Sequence, residues 1–240
     1  MKPVRITCKL PALASPVLWQ VRRSSGHHRL RVAGESEEKV NQFALPHGLG
    51  GRVVGLVMAV GNADMERKAV NTLALSGHES VLEIGFGPGV GIRMLAKRLP
   101  GGFVAGIDPS EVMIEQATRR NRNAIERGRA ELRRGTASAL PWKAERFDSV
   151  LSVNNIQEWP SLRGDLQEVW RVLTPGGRVA IAVHAWVAKY AKDRGDPDRP
   201  WDEHVIEALR ATGFSDVSSQ SGRALSGRAF YIAACKRGAA

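Results

Sequence analysis

The sequence predicts an α/β protein: a doubly wound, seven-stranded, mostly parallel sheet with helices on both faces, plus an N-terminal helical extension. Three observations carry this expectation. From residue 80 onward, short apolar runs alternate with stretches of helical periodicity, the pattern of βαβ units. One such run, Val81-Leu82-Glu83-Ile84, breaks into Gly85-Phe86-Gly87-Pro88-Gly89 and reopens as a helix. A second run, Phe103 to Ile107, ends in Asp108 about 20 residues further on, where an acid completes a nucleoside-binding βαβ unit.

Residues 1–40 carry prolines, basic clusters, His27-His28 and an acidic group at Glu35, Glu37 and Glu38, and read as an irregular basic extension. Two adjacent histidines without further ligands do not make a metal site, and no metal is expected. Residues 41–78 read as helical, in two pieces at Arg52–Val60 and Asp64–Leu75. The second piece places Ala69, Val70, Leu73 and Ala74 at helical spacing. This segment either covers the ligand site or packs on the sheet. Met58 and Met65 are candidates to line a pocket or to fill core gaps.

Residues 79–240 form the main domain. Strands are expected near 80–84, 103–107, 130–133, 147–153, 178–184, 214–218 and 229–235. Helices are expected near 89–98, 110–127, 162–173 and 201–212.

The glycines at 85, 87 and 89 leave no Cβ on the turn, so a ligand can approach the backbone while the amides of the helix start point toward it. A dinucleotide fingerprint counted from Gly85 wants glycine at position 90, which is Val90. Asp108 can accept from both hydroxyls of a ribose, and can also cap the helix that begins at Pro109-Ser110-Glu111. Glu83, a charge inside an apolar strand, needs a partner.

These motifs together resemble a class I S-adenosylmethionine-dependent methyltransferase, of the small-molecule branch that includes UbiE-like (type 11) enzymes. Val81 to Gly89 is similar to that family's first motif, and Ala105-Gly106-Ile107-Asp108-Pro109-Ser110 to the segment that follows. Gly135 to Trp142, followed by Phe147-Asp148-Ser149-Val150, resembles the adenine-contacting loop and fourth strand. Arg171 to Arg178 resembles the turn into the fifth strand, and Leu209 to Val217 the late helix-to-strand junction.

The resemblance implies a Rossmann-like fold whose last strand runs antiparallel, and S-adenosylmethionine as cofactor. It implies a cofactor site made of Glu83, Gly85, Phe86, Gly87, Gly89, Asp108, Pro109, Met113, Thr136, Ala137 and Asn154. Glu83 is expected either to hold the methionine amino group or to cap amides of the glycine turn. Met113 is expected on the adenine face, with Ala137 offering its amide to the ring and Leu140 and Trp142 walling it, unless Trp142 is a core anchor. Thr136 departs from the pattern: relatives commonly carry an acid there, and a hydroxyl is a neutral, weaker acceptor.

Methyl transfer from a sulfonium is an in-line displacement whose leaving group needs no acid. A base is required only when the acceptor is a hydroxyl, phenol or acidic carbon. Candidates follow the fourth and fifth strands: Asn154, Asn155, Gln157, Glu158 and Trp159, then His184 and Trp186. His184 is the candidate catalytic base by residue type and by position at a strand tip; the alternative is a satisfied strand-end histidine. His47 could reach the pocket from the N-terminal segment. The connection Trp186–Trp201 stands where an acceptor-shaping cap would lie.

The bulk properties narrow the classes. With 240 residues and 43% hydrophobic content, the chain can bury one large core. No apolar run approaches the roughly 20 residues of a membrane span. Cys8 and Cys235 stand at opposite ends, so both are expected reduced, in a cytoplasmic protein. The net charge of +11 includes a dense group, Arg119, Arg120, Arg122, Arg127, Arg129, Arg133 and Arg134, with no interleaved aromatics to stack bases. A small-molecule acceptor is therefore favoured over RNA, for which no Asn-Pro-Pro-Tyr-like tetrad is present. A binding protein that keeps the fold without catalysis is the third reading. The oligomeric state is not encoded in any of these signals.

Overall fold

The computed structural model describes residues 55, 60–196, 198–225 and 227–238. The basic extension 1–40, His27-His28, His47 and most of the first helical piece lie outside the described residues.

The elements run α1 (Ala63–Thr72), β1 (Ser80–Ile84), α2 (Val90–Arg98), β2 (Phe103–Asp108), α3 (Glu111–Glu126), β3 (Ala130–Arg134), β4 (Phe147–Val153), α4 (Leu162–Val172), β5 (Leu173–His184), α5 (Trp201–Thr212), β6 (Phe214–Ala224) and β7 (Gly227–Lys236). Short 3₁₀ turns at Ile156–Glu158 and Ala185–Tyr190 follow β4 and β5. The strands form one seven-stranded sheet of order β3-β2-β1-β4-β5-β7-β6. All neighbours are parallel except β7, which runs antiparallel to both β5 and β6.

The sheet buries both faces, so its central strands read as nearly continuous apolar runs. On one face Leu82, Ile84, Val150, Ile181 and Val183 pack with Leu166 and Val169 of α4 and with Val205 and Leu209 of α5. On the other, Val81, Leu151, Ala180 and Ala182 pack with Met65 and Ala69 of α1 and with Ile92 and Leu95 of α2. Met65 is thus a core residue. Side chains alternate along a strand, so Glu83 and His184 project to the α1/α2 face.

Several boundaries differ from the sequence expectation: α1 ends at Thr72 rather than Leu75, and the last three strands are longer. β5 begins at Leu173 rather than near 178, because Leu173 pairs with Phe147 before the Pro175-Gly176-Gly177 turn loops out and pairing resumes at Ser149 and Arg178. β6 and β7 form a longer hairpin than expected. Ser218 to Ser221 are exposed edge residues without apolar alternation, so periodicity could not reveal the extension. A bulge between Ser215 and Ser218, with Asp216 at φ 52°, kinks this edge strand.

Candidate active site

The strand order reverses between β1 and β4, and the crevice beyond their carboxyl ends is where open α/β sheets bind ligands. There β1 gives way to the glycine turn. Gly85, Gly87 and Gly89 have φ of 74°, 50° and 79°, a region glycine enters without a Cβ penalty. The Gly85 amide donates to Ile107 O at 2.8 Å and the Gly89 amide to Phe86 O at 2.9 Å, which fastens the turn to β2 and closes it on itself. A Cβ at Gly85 would collide with the side chain of Asn155, and one at Gly89 would lie 2.6 Å from Ala117 Cβ. Phe86 is buried beneath the turn at 1% exposure, so its side chain belongs to the core.

Asp108 sits at the tip of β2, beside the turn. Its Oδ2 accepts from the Gly87 amide at 2.9 Å and its Oδ1 from the Ser110 amide at 2.9 Å. Burial nevertheless pushes its carboxyl up to about 6. Ser110, not Asp108, caps α3, accepting from the Met113 amide at 3.3 Å. Met113 is buried at 1% exposure, and a Cβ on Gly55 would lie 2.8 Å from its methyl carbon.

Glu83 lies fully buried on β1, and neither of its oxygens accepts from a donor. The idea that it caps the glycine turn is therefore corrected, since Asp108 performs that task. Beside it stands Glu66 of α1, buried to 7% exposure. Desolvation pushes Glu66 up to about 8, and desolvation followed by repulsion from Glu66 and Asp108 lifts Glu83 well above the ordinary range. Glu66 escaped sequence reasoning. The only signal was a glutamate on the apolar side of an amphipathic segment, one position after Met65.

Asn154 follows β4 at φ 48°, a left-handed conformation that asparagine tolerates. Its Oδ1 accepts from the His184 amide at 2.9 Å, and its Nδ2 donates to Asn62 Oδ1 at 2.9 Å. Asn155 accepts from Trp159 Nε1 at 2.7 Å, and Gln157 donates to Asn154 O at 2.7 Å. These side chains build the rim. His184 is buried at 1% exposure, its ring stacked on Trp186 with centroids 5.9 Å apart. Burial lowers its pKa, which keeps the imidazole neutral at pH 7.

The loop after β3 carries an exposed Thr136 and a buried Ala137. Arg171 of α4 pins it, donating to Trp142 O at 2.7 Å and Leu140 O at 2.9 Å, while Glu168 accepts from the Leu140 amide at 3.0 Å. Trp142 packs edge-on against Phe147 at 5.4 Å, so it is a core anchor. Pro109 is half-buried beside Asp108. Among the described residues no group of three or more His, Cys, Asp or Glu is placed to hold a metal ion, and no helix is long and apolar enough to cross a membrane.

The family profile described as methyltransferase domain matches residues 81–177, the span from β1 to the first part of β5. The uncharacterized methyltransferase YdaC of Bacillus subtilis is 30% identical over 168 residues, which cover 70% of this chain and 89% of that protein. The chain belongs to the class I S-adenosylmethionine-dependent methyltransferases. A demethylmenaquinone methyltransferase of Tropheryma whipplei is 33% identical over 120 residues, 50% of this chain and 48% of that one. Among solved structures, phosphoethanolamine N-methyltransferase 2 of Haemonchus contortus in complex with S-adenosyl-L-methionine aligns with a TM-score of 0.66 at 17% identity. The alignment covers 85% of this methyltransferase and 61% of that chain, a likeness of fold. Membership implies S-adenosylmethionine as the cofactor, and the residues at the switch point fit it. They offer a buried carboxylate without a donor for a cation, a second carboxylate with lone pairs to spare, and a left-handed glycine turn that carries no side chain at 85, 87 or 89.

Proposed function

We propose that this methyltransferase transfers a methyl group in line from S-adenosylmethionine to a small-molecule acceptor, in the crevice above Gly85–Gly89 and beside His184. The observation that carries this reading is the left-handed glycine turn with Asp108 fixed against it at the β1/β4 switch point. In this reading the Asp108 carboxylate accepts from the ribose hydroxyls, and the turn's backbone lies against the amino-acid portion. Met113, Pro109 and the Ala137 amide flank the base, and Thr136 offers a hydroxyl at its edge. Glu83 faces the methionine ammonium. Asn154 holds the β4 and β5 tips in register with α1 and so sets the cradle's width. Phe86 contributes through its backbone, its ring being the floor.

S-adenosylmethionine supplies an electrophilic methyl whose departure leaves a neutral thioether, so the protein's task is alignment and exclusion of water. His184, neutral and near the tip of β5, is the group to take a proton from a hydroxyl or phenol acceptor. A small acceptor is supported by relatives named for methylation of a demethylmenaquinone and of a phytyl hydroquinone. The arginine group adds no support for RNA, because no aromatic residues interleave with it to stack bases, and several of its members already have partners on the protein surface. Arg119 pairs with Glu115 at 3.7 Å and Arg129 donates to Ala96 O at 3.2 Å, while Arg120 bonds Pro88 O, Arg133 pairs with Glu131 and Arg134 with Glu111.

Titration calorimetry with S-adenosylmethionine, S-adenosylhomocysteine and NADH tests the reading. Micromolar binding of the first two and none of NADH is expected. Binding of NADH alone, or of none, would overturn it.

A further inference from the structure

Glu66 belongs to none of the motifs, yet the fold delivers it to the site. The Asn154–Asn62 hydrogen bond sets the start of α1 over the tip of β4. One turn later the Glu66 amide donates to Asn62 O at 2.8 Å, and the side chain turns inward. It meets Glu83 over the first turn of α2. A Cβ on Gly91 would overlap Glu83 Oε1 and fall 2.6 Å from Glu66 Oε2, so the missing side chain is what lets both carboxyls close onto the first turn of α2.

Among the described residues, the surroundings supply no counter-charge. None of the ion pairs among the described residues involves either carboxyl. From β2, Asp108 adds a third negative group. On α1, Arg67 and Lys68 are exposed, and Lys68 pairs with Asp64 at 3.0 Å. On α2, Arg93 is exposed and faces Arg120 of α3. The facing stretch of β4, Ser149 to Val153, carries no charge. As carboxylates the two groups only accept, and three of their four oxygens are buried without a donor. With a proton the pair can hydrogen-bond to itself. Two buried like charges in contact cannot both ionise without a cation.

We propose that Glu66 and Glu83 form a two-carboxylate receptor that keeps at least one proton in the free protein and releases it to water when the cationic amino-acid end of S-adenosylmethionine enters. Glu66 is then a cofactor-binding residue supplied by the N-terminal helix, outside the family's sequence motifs. This rests on the cofactor reading of the preceding subsection. The balance is simple: one O–H bond breaks, the proton leaves to solvent, and the ligand's ammonium takes its place. Burial supports it, with Glu66 pushed up to about 8. A proton lost on binding makes affinity rise with pH below that value and level off above it.

The test is calorimetry of the full chain between pH 6.8 and 8.5, in buffers of differing ionisation enthalpy, which counts protons. The wild type is expected to release about one proton per S-adenosylmethionine near pH 7.5, with Kd falling up to ~10-fold per pH unit below 8. S-adenosylhomocysteine, which keeps the ammonium, should release the same proton. 5′-Methylthioadenosine, which lacks the amino-acid end, should release none. Glu66→Gln should still bind, with the proton count at least halved and the pH profile shifted down by about one unit or more. A thermal melt of the variant controls for folding, and Glu66→Asp should restore part of the proton release. Binding by the wild type without proton release overturns the receptor while leaving the cofactor reading intact. So does release with 5′-methylthioadenosine, or a Gln variant identical to wild type. Absence of any binding to the wild type overturns both.

Discussion

Asn154 and Asn62, 92 positions apart, join their side chains at 2.9 Å, while the same Asn154 amide accepts the His184 N–H at 2.9 Å. One side chain thereby ties α1, β4 and β5 together at the mouth of the crevice. Asn154→Ala strands a buried strand-end amide and places a less tolerant residue at φ 48°. The expected cost is about 1–3 kcal/mol. Asn154→Gly relieves the backbone but restores neither bond, so its melting temperature should fall between wild type and Ala. Equal melting temperatures for all three would refute the bridging role.

Gly87→Val puts a β-branched residue at φ 50° and pulls the amide from Asp108; Asp108→Ala removes the acceptor itself. Both should abolish S-adenosylmethionine binding while the protein stays folded. Because the Asp108 carboxyl is held up to about 6, wild-type affinity should also weaken as pH falls through 6 and the ribose acceptor becomes protonated. Unchanged affinity in both variants would move the site elsewhere.

Glu66→Gln should stabilise the protein in a pH-dependent way. The folded carboxyl is raised above its unfolded value, so the native state binds the extra proton and stability is lost as pH rises through the window between about 4.5 and about 8. Replacing the acid removes that loss. The gain in melting temperature should be roughly 2–4 °C or more at pH 8.5 and close to nil at pH 5. A gain of the same size at both pH values would mean the carboxyl is not the cause.

His184→Gln leaves the backbone amide that Asn154 engages and removes the base. With a hydroxyl or phenol acceptor, kcat should fall by about 10²- to 10⁴-fold while S-adenosylmethionine affinity holds. An unaltered kcat would show that alignment alone suffices for this methyltransferase.

The chain's parallel core was readable because the strands are buried on both faces and end in glycine or acid. Val81–Ile84, Phe103–Ile107 and the helices at 162 and 201 fall where periodicity puts them. Legibility fails where structure depends on partners distant in sequence. Ser218–Ser221 become strand only through the ladder with β7. Glu66 comes beside Glu83 only through the packing of α1 on the sheet and the bond from Asn62 to Asn154, 92 positions away. The Arg171 and Glu168 contacts to the loop before β4 likewise join residues about thirty positions apart that carry no local pattern. Asp108 was legible in place, but its grip on the Gly87 amide was not, since that bond exists only once β1 and β2 are paired.

The two outer strands have a bearing on how copies of this chain can meet. At one border β3 ends in Arg133 and Arg134, both exposed; at the other, the kinked β6 presents Ser218, Ser219, Gln220 and Ser221 to water. Charge on one border and a bent, hydroxyl-lined ribbon on the other both discourage a neighbouring molecule from extending the sheet. Self-association, where it occurs, is thereby steered away from continuous intermolecular β-pairing and toward contacts between helices or loops, a route less exposed to fibrous aggregation during synthesis and refolding.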